Sequence, residues 1–374
     1  MDNTTEPERN LAPATVMTDR AAGVLVGAAI GDALGVPWEF KTPRLAGTPE
    51  MSGGGMGGYS PGEWSDDTQL AICIAEVSAT GADLTDEAAL DAITQRFLAW
   101  MEAEPREMDS QTRVVFGELI ADPKIPRTAR RLRNSAIFFH RRTRRSNGNG
   151  MLSRIPIVAL TRLNDAEWTS AAATAVTQLT HIDNQAIEAA TILCELIRSA
   201  VIDPRKPGPE WLRNLNLDGA VKLLPWDRQP LWNDLLKTAI TSWYSPPLDN
   251  TSAGSALQGA LAALAAAGAE FRTRAFDATE VIRFALTQAI HAGGDTDTVA
   301  AVCGALLGAV FGVEMLPAQW RDEIHGWPGA RADLLSDLAI ATATAGIIGQ
   351  QGMAQMVESG GDMRALLEGN PTSR

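Results

Sequence analysis

The sequence GGDTDTVAAVCGALLGAVFG, residues 293–312, joins a polar turn to an apolar helix. Asp295, Asp297 and Thr298 place two carboxylates and a hydroxyl within four residues, where that helix must begin. The glycines that open the stretch allow the tight backbone such a turn needs. A helix cap uses only one side chain, whereas this turn supplies three oxygen ligands. The stretch therefore predicts a metal site, with an ordinary helix cap as the alternative.

A second acidic turn lies about 230 positions earlier in the sequence. Ser65, Asp66 and Asp67 stand just before an apolar helix predicted from Leu70 to Val77. Adjacent carboxylates repel each other unless a cation lies between them or one of them takes a proton. Oxygen ligands without His or Cys suit Mg²⁺, Mn²⁺ or Ca²⁺ rather than Zn²⁺. We therefore expect the two clusters to meet around metal, and two independent helix caps are the alternative.

Glycines recur every four residues in two apolar segments, a spacing that predicts closely packed helices. In a helix predicted from Arg20 to Gly35 they stand at positions 23, 27, 31 and 35, and near the C-terminus they stand at 304, 308 and 312. Each row forms a flat strip, so we expect the two helices to lie near each other in the core. Asp32 falls inside the first helix, where a carboxylate among small residues needs a polar partner.

The composition favours helices and argues against membranes and nucleic acid as partners. The chain is 45% hydrophobic and 6% aromatic, and no segment shows the alternation typical of a strand. A net charge of −13 argues against a general nucleic-acid binder. The first 17 residues are polar and carry no secretory signal, and the apolar runs Val24–Val36 and Val299–Val313 are too short to span a bilayer. With three scattered cysteines in apolar contexts, we expect a soluble protein of the reducing cytoplasm.

Helical patterns continue along most of the chain, although length alone leaves open one large domain or two. Beyond the helices already named, they are predicted at 86–103, 110–121, 167–180, 183–201, 209–217, 229–243, 253–267, 276–291 and 299–312, with two or three peripheral helices in 318–367.

A basic segment from Arg127 to Arg145 contains eight arginines in nineteen residues. Such a run is usually a solvated face. Because it leads directly into Ser146-Asn147-Gly148-Asn149-Gly150, an anionic ligand or an acidic partner is the alternative. Arg154 lies just beyond, where it could pair with a pyrophosphate.

Four motifs, in this order along the chain, resemble the ADP-ribosylglycohydrolase family, which contains dinitrogenase-reductase-activating glycohydrolase and the eukaryotic ADP-ribosyl-acceptor hydrolases. The motifs are Gly27–Gly35 with Glu39, Gly62–Thr68, Gly148–Gly150 with Arg154, and Gly293–Thr298, and Thr180-His181 before a helix fits as a fifth. The match spans about residues 20–330. Each piece alone is weak, but the ordered set is specific.

The resemblance implies an all-α fold, a single compact multi-helix domain around a centre of two Mg²⁺ ions, or Mn²⁺. We assign residues 18–345 to this domain, 1–17 to a disordered leader and 346–374 to a C-terminal helix and tail. By the family's pattern one metal is held by Ser65, Asp66, Asp67 and Asp297, and the other by Asp295, Asp297 and Thr298.

The resemblance also implies which residues meet the substrate. Those expected at an ADP-ribose cleft are Asn149 with its flanking Gly148 and Gly150, together with Arg154, His181 and Glu107. Glu39 matches a glutamate that some members place over the site as a gate or as an acid/base. Three features depart from the family's pattern: Ser65 replaces a Thr, Pro156 arrives one place early, and in an Asp-x-Gly segment Glu107 falls in the Asp position and Asp109 replaces the Gly.

The implied function is the removal of ADP-ribose from a modified protein side chain, with arginine as the favoured acceptor, by cleaving the glycosidic bond at the distal ribose. Metals would fix the sugar hydroxyls, and Asp66 or Asp67 would act as the base with Glu39 assisting. The alternative is an interaction or immunity protein that blocks an ADP-ribosylating toxin or its target sterically. Nucleic-acid binding by the arginine run is a third hypothesis.

Overall fold

The fold comes from a computed structural model, which describes residues 12–42, 47–122, 124–247 and 249–358. In chain order, the α-helices α1 to α15 are Ala14–Gly35, Asp66–Ser78, Glu87–Glu102, Ser110–Ile120, Ala129–Thr143, Gly150–Arg154, Ala166–Thr177, Asn184–Ile202, Leu217–Lys222, Gln229–Thr241, Ala253–Glu270, Ala278–His291, Thr296–Phe311, Ala318–Glu323 and Ala332–Glu358. Short 3-10 segments cover Val36–Trp38, Pro156–Leu160 and Trp211–Asn214. The strands in this part of the chain form one small antiparallel pair, His325–Gly326 with Ala330–Arg331. The prediction of a mainly helical single domain is confirmed.

Helices α1 and α13 form the centre of the fold, because their glycine rows let the two backbones touch. A Cβ added at Gly27 would overlap the carbonyl oxygen of Gly304, and one added at Gly23 would overlap that of Gly308. Every described residue of α13 is buried, as is nearly all of α1 from Arg20 onward. The predicted contact of the two strips is therefore confirmed. This contact places the start of α13 beside the end of α1, where the Thr296 hydroxyl donates a hydrogen bond to the Gly35 carbonyl at 2.8 Å.

The first helix is longer than the sequence analysis predicted. Together with its 3-10 extension it covers Ala14–Trp38, 25 residues, and by length and composition it could cross a membrane. The expectation that the apolar run here is too short is therefore wrong. However, 94% of its most apolar window is buried inside the protein, as in the core helix of a folded domain.

Several segments differ from the predicted helices. The helix predicted at 209–217 is wrong, because Trp211–Asn214 forms a 3-10 turn and the Asn216 side chain then caps α9, accepting from Gly219 N–H at 3.1 Å. The arginine-rich segment is itself a helix, α5, which Thr128 caps. Near the C-terminus α15 is not peripheral, because Leu335, Ala339 and other residues of its first turns are buried.

The expected domain boundaries remain predictions. Helix α1 already contains residues 14–17 of the expected leader, and α15 continues without a break across residue 345. Residues 1–11 and 359–374 lie outside the described part of the chain. All three cysteines are buried with free thiols, as their apolar contexts predicted.

Candidate active site

A cleft of about 580 Å³ opens above the first turns of α2 and α13. This volume lies within the range of small-molecule sites, about 300–1,000 Å³. Its lining comprises Glu39, Phe40, Met56, Asp66, Asp67, Glu107, Met108, Asp109, Ser110, Gln111, Phe139, Thr143, Arg145, Asn147, Gly148, Asn149, Gly150, Thr251, Asp295, Asp297 and Thr298. Most of the polar residues singled out in the sequence therefore face one cavity.

The two acidic turns meet at the floor of this cleft. The Thr298 hydroxyl donates a hydrogen bond of 2.9 Å to Asp67 Oδ2, across 231 positions of sequence. The other oxygen of Asp67 accepts from the Ser153 hydroxyl at 2.6 Å. Because both partners of the long-range bond are buried, the fold fixes the contact rather than leaving it to chance encounter. The prediction that the clusters converge is confirmed.

Asp32 holds the first cluster in place from beneath. Its fully buried carboxylate accepts bonds from Ser65 N–H at 3.0 Å and from Thr68 N–H at 3.1 Å, and from the Thr68 hydroxyl at 2.6 Å. A carboxylate is favourable at a helix N-terminus, where backbone N–H groups are unsatisfied. The Ser65 hydroxyl accepts from Asp67 N–H at 3.2 Å and so caps α2. The polar partner expected for Asp32 is thus the start of α2.

Asn250 and Asn149 hold the second cluster. The Asn250 side chain accepts from Asp295 N–H at 2.9 Å and donates to the Gly293 carbonyl at 2.9 Å. Gly294 has a positive φ of 71°, which a glycine tolerates in this tight turn. Asn149 donates to Asp295 Oδ2 at 3.0 Å, so one of the residues predicted to bind substrate also orients an acid.

A group of carboxylates at the cleft has the arrangement of a cation site. One oxygen each of Glu39, Asp295 and Asp297 lies within 4.8 Å of the other two. Glu39 Oε2 is buried and has no hydrogen-bond partner among the described residues. These hard oxygen donors fit Mg²⁺ or Mn²⁺. The group differs from the predicted ligand sets by including Glu39, which the sequence analysis placed as a gate or acid/base.

The acidic residues of the cleft have raised pKa values. Burial, which disfavours the charged form, is the main cause that raises the pKa of Asp66, Asp67 and Asp297 well above the usual value. The negative charge of another acid raises these pKa values further: Asp67 acts on Asp66, Asp32 on Asp67 and Asp295 on Asp297. A cation among these groups would relieve the repulsion and restore the charged forms.

Glu39 and Glu107 lie close together in the lining of the cleft and affect each other's protonation. Burial, with Glu107 and Asp295 nearby, raises the pKa of Glu39 to about 9. Burial also raises the pKa of Glu107, while its hydrogen bond with Glu39 opposes that change. Neither Glu39 Oε2 nor Glu107 Oε2 receives a bond from any other described group. A proton held by Glu39 therefore supplies the hydrogen bond that the pair lacks when both are ionised.

Arg154 and His181 lie behind the cleft rather than in it. Arg154 is 3% exposed and donates to the Thr180 hydroxyl at 2.8 Å, and its guanidinium lies over the Phe97 ring. His181 is fully buried, next to Gly148, and burial followed by Arg154 lowers its pKa well below the usual value. The proposed contact of Arg154 with a pyrophosphate is therefore not supported. Both side chains support the cleft from the core.

Arg154 acts instead as the buried cation beneath the acids. Its nearest charged neighbours are Asp109, Asp67 and Asp66, which favour its charged form against the effect of burial. Asp109 also caps α4, accepting from Thr112 N–H at 2.9 Å. In the sequence, Asp109 stands out only as a departure from the family's pattern.

Asn250 is the functional residue that sequence reasoning missed. It joins Asn149 to the second cluster, because the backbone carbonyl of Asn250 accepts a hydrogen bond from Asn149 Nδ2 at 2.9 Å. A single asparagine in a proline-rich connection carries no periodic or spacing signal, so only the fold reveals its position.

Comparison with known proteins gives matches over most of the chain. A sequence model described as ADP-ribosylglycohydrolase matches residues 13–348. The chain is 25% identical over 316 residues to the ADP-ribosylarginine hydrolase Tri1 of Pseudomonas putida (strain GB-1), covering 82% of this chain and 74% of that protein. It is 23% identical over 317 residues to the ADP-ribosyl-[dinitrogen reductase] glycohydrolase of Rhodospirillum rubrum, covering 82% and 90%. A solved structure of an ADP-ribosylglycohydrolase-related protein complex superposes with a TM-score of 0.62 at 26% identity, covering 88% of this chain and 99% of that chain.

Proposed function

The chain belongs to the ADP-ribosylglycohydrolase family, and we propose that it removes ADP-ribose from a modified protein side chain by hydrolysing the glycosidic bond at the distal ribose. Arginine is the acceptor we favour, because one of the relatives with long coverage is an ADP-ribosylarginine hydrolase. The ADP-ribosylated protein is then the partner, and the cytoplasm remains the expected compartment.

One observation carries the proposal: the hydrogen bond between Thr298 and Asp67. It joins two acidic turns that each stack oxygen ligands on a helix start, and it does so at the floor of a cleft large enough for a nucleotide sugar. Two independent helix caps would have no reason to meet in this way.

We assign two divalent cations, Mg²⁺ or Mn²⁺, to this floor. The residues proposed to hold them are Ser65, Asp66, Asp67, Asp295, Asp297 and Thr298, with Glu39 added by its place beside Asp295 and Asp297. Such ions, when bound, polarise sugar hydroxyls and lower the pKa of a bound water. The fit rests on hard oxygen donors, on the unpartnered oxygen of Glu39 and on the mutual repulsion of the buried carboxylates.

In the proposed reaction, different carboxylates of the chain carry out different proton transfers. Cleavage of the glycosidic bond passes through an oxocarbenium-like state. Asp66 or Asp67 takes the proton of the attacking water, and Asp67 is held for this by Ser153 and Thr298. Glu39 assists in these proton transfers from its place beside Asp295 and Asp297.

The cleft walls bind and orient the substrate in this proposal. Asn149, between Gly148 and Gly150, lines the wall beside Asp295 and contacts the ribose, and Glu107 contacts the acceptor side. A Cβ added at Gly148 would lie 3.5 Å from His181 Nε2, an ordinary contact, whereas one added at Gly150 would lie 3.2 Å from Asp109 Oδ2 and would require that side chain to shift slightly. Precise placement of a substrate is worth several kcal/mol of the barrier.

The test is the release of ADP-ribose from ADP-ribosylarginine with Mg²⁺ or Mn²⁺ present. We expect the wild-type protein to release it and Asp297→Asn to lose about 100-fold or more in rate, as when a group stabilising the transition state is removed. The matched control is Asp234→Asn, an exposed aspartate on α10, which should keep full activity.

Equal activity of Asp297→Asn and wild type would contradict the proposal. An inactive wild-type protein that still shields an ADP-ribosylated target would favour steric blocking instead.

A further inference from the structure

Helix α5 presents a row of arginines to solvent. Arg130, Arg131, Arg141 and Arg142 are all exposed. Phe138 lies between the two pairs, one turn before Arg141 and Arg142, and is 53% exposed. The opposite side of the helix, at Leu132 and Ala136 among others, is buried against the core. The outward face of α5, defined by these four arginines and Phe138, is thus basic with an aromatic residue at its centre.

These arginines differ from others of the same segment in having no acidic partner. Arg127 forms an ion pair with Glu102, and Arg133 pairs with Glu87 at 2.6 Å. Within residues 12–42, 47–122, 124–247 and 249–358, no carboxylate lies within ion-pair distance of the four outward arginines. A chain with 45 acidic residues and a net charge of −13 therefore concentrates unpaired positive charge on one helix.

The outward face of α5 is continuous with the mouth of the cleft. Phe139 and Thr143, on the same helix, line the cleft, as does Arg145 just after it. Phe40 and Met56, at 54% and 63% exposure, form apolar parts of the rim. A protein whose modified side chain enters the cleft therefore passes this rim and the C-terminal end of α5.

We propose that the outward face of α5 docks an acidic region of the ADP-ribosylated protein, an inference that rests on the proposed function. Guanidinium groups bind carboxylates through two parallel hydrogen bonds, and arginine and aromatic residues are enriched at the centres of protein interfaces. The rim beside α5 is apolar at Phe40 and Met56, and Phe138 lies among the arginines, a mixture typical of protein interfaces. These features favour an acidic protein surface over a nucleic acid.

The experiment compares three synthetic peptides that carry ADP-ribosylarginine and differ only in flanking residues, which are Asp/Glu, Gly/Ser or Lys. We expect the wild-type protein to show a KM for the acidic peptide about tenfold or more below that for the neutral one, a difference that shrinks as salt screens the charges. Arg141→Gln/Arg142→Gln should remove most of this preference, and Arg141→Glu/Arg142→Glu should reverse it. Each variant should hydrolyse free ADP-ribosylarginine within about twofold of wild type, because neither residue lines the cleft.

The matched control reverses two exposed charges elsewhere, Lys237→Glu on α10 and Arg272→Glu just beyond α11. It should leave the peptide preference unchanged. Equal KM values for the three peptides with the wild-type protein, or an unchanged preference in the α5 variants, would overturn the docking surface. So would tighter binding of a fluorescent single-stranded oligonucleotide than of the unmodified acidic peptide. Failure of the wild-type protein to cleave free ADP-ribosylarginine would instead contradict the proposed function itself.

Discussion

At Glu39, burial and neighbouring acids hold a proton that an exposed glutamate would lose at neutral pH. Its pKa of about 9 means that the folded, metal-free protein binds this proton more tightly than the unfolded chain does. The bound proton therefore stabilises the fold fully below a pH of about 4.5, and this contribution is lost as the pH rises through about 9. A divalent cation at the same oxygens competes with the proton.

The substitution Glu39→Gln tests this directly, because glutamine resembles the protonated acid. In the presence of a chelator, we expect the free energy of unfolding of the wild-type protein to fall between about pH 5.5 and pH 8.5 more steeply than that of Glu39→Gln. Urea denaturation at several pH values measures it, with Glu118→Gln, an exposed glutamate on α4, as the control. If the free energy of unfolding of Glu39→Gln fell with pH as steeply as that of the wild-type protein, the proton would not be bound by Glu39.

The sequence predicted the position of a residue correctly where that position depends on neighbouring residues in the chain, and less well where it depends on distant segments. The acidic side chains that line the cleft were predictable, since a carboxylate pair on a helix start is visible in the sequence. Arg154 and His181 were placed in the cleft, but their depth beneath Gly148 follows from packing between distant segments. Asn250 was not predictable at all, because its contacts reach across 45 and 101 positions.

At the scale of elements, the glycine rows correctly predicted a long-range contact, because two helix faces without side chains can pack with their backbones in contact. Helices α1 and α13 approach until backbones touch, and this fixes where the second acidic turn lies. Helix α5 shows the opposite case. Its arginines indicated a solvated face, and that face is exposed, but nothing local indicated that the end of the helix would form a wall of the cleft.

Adding a methyl group between α1 and α13 should be costly. Gly304→Ala forces its Cβ into the carbonyl oxygen of Gly27, so we expect a loss of about 1–3 kcal/mol or more in the free energy of unfolding. The control is Gly117→Ala on α4, where the new Cβ meets only Met101 Cε at 3.9 Å. This control should gain up to about 1 kcal/mol, since alanine is the better helix former. Equal effects in urea denaturation would show that the helices do not pack through this contact.

For the molecule as a whole, the fold brings together acids that would repel each other, and in the proposed function a bound ion compensates for the repulsion. Asp67 enters on α2 and Asp297 on α13, and each lies on the first turn of a helix that the core holds rigidly. The site therefore exists only in the folded chain. Ligands that bind only the folded state raise its stability, by about 2.7 kcal/mol at a concentration 100 times Kd.

The most direct test is calorimetric titration of the metal-free protein with Mn²⁺. We predict saturable binding of two ions to the wild-type protein and to Asp234→Asn. We predict weaker or absent binding in both Asp67→Asn and Asp297→Asn, because in the proposal the two acidic turns supply ligands to the same metal centre. Absence of saturable binding in the wild-type protein, or full binding by either of these last two variants, would contradict the claim that the two turns hold metal together.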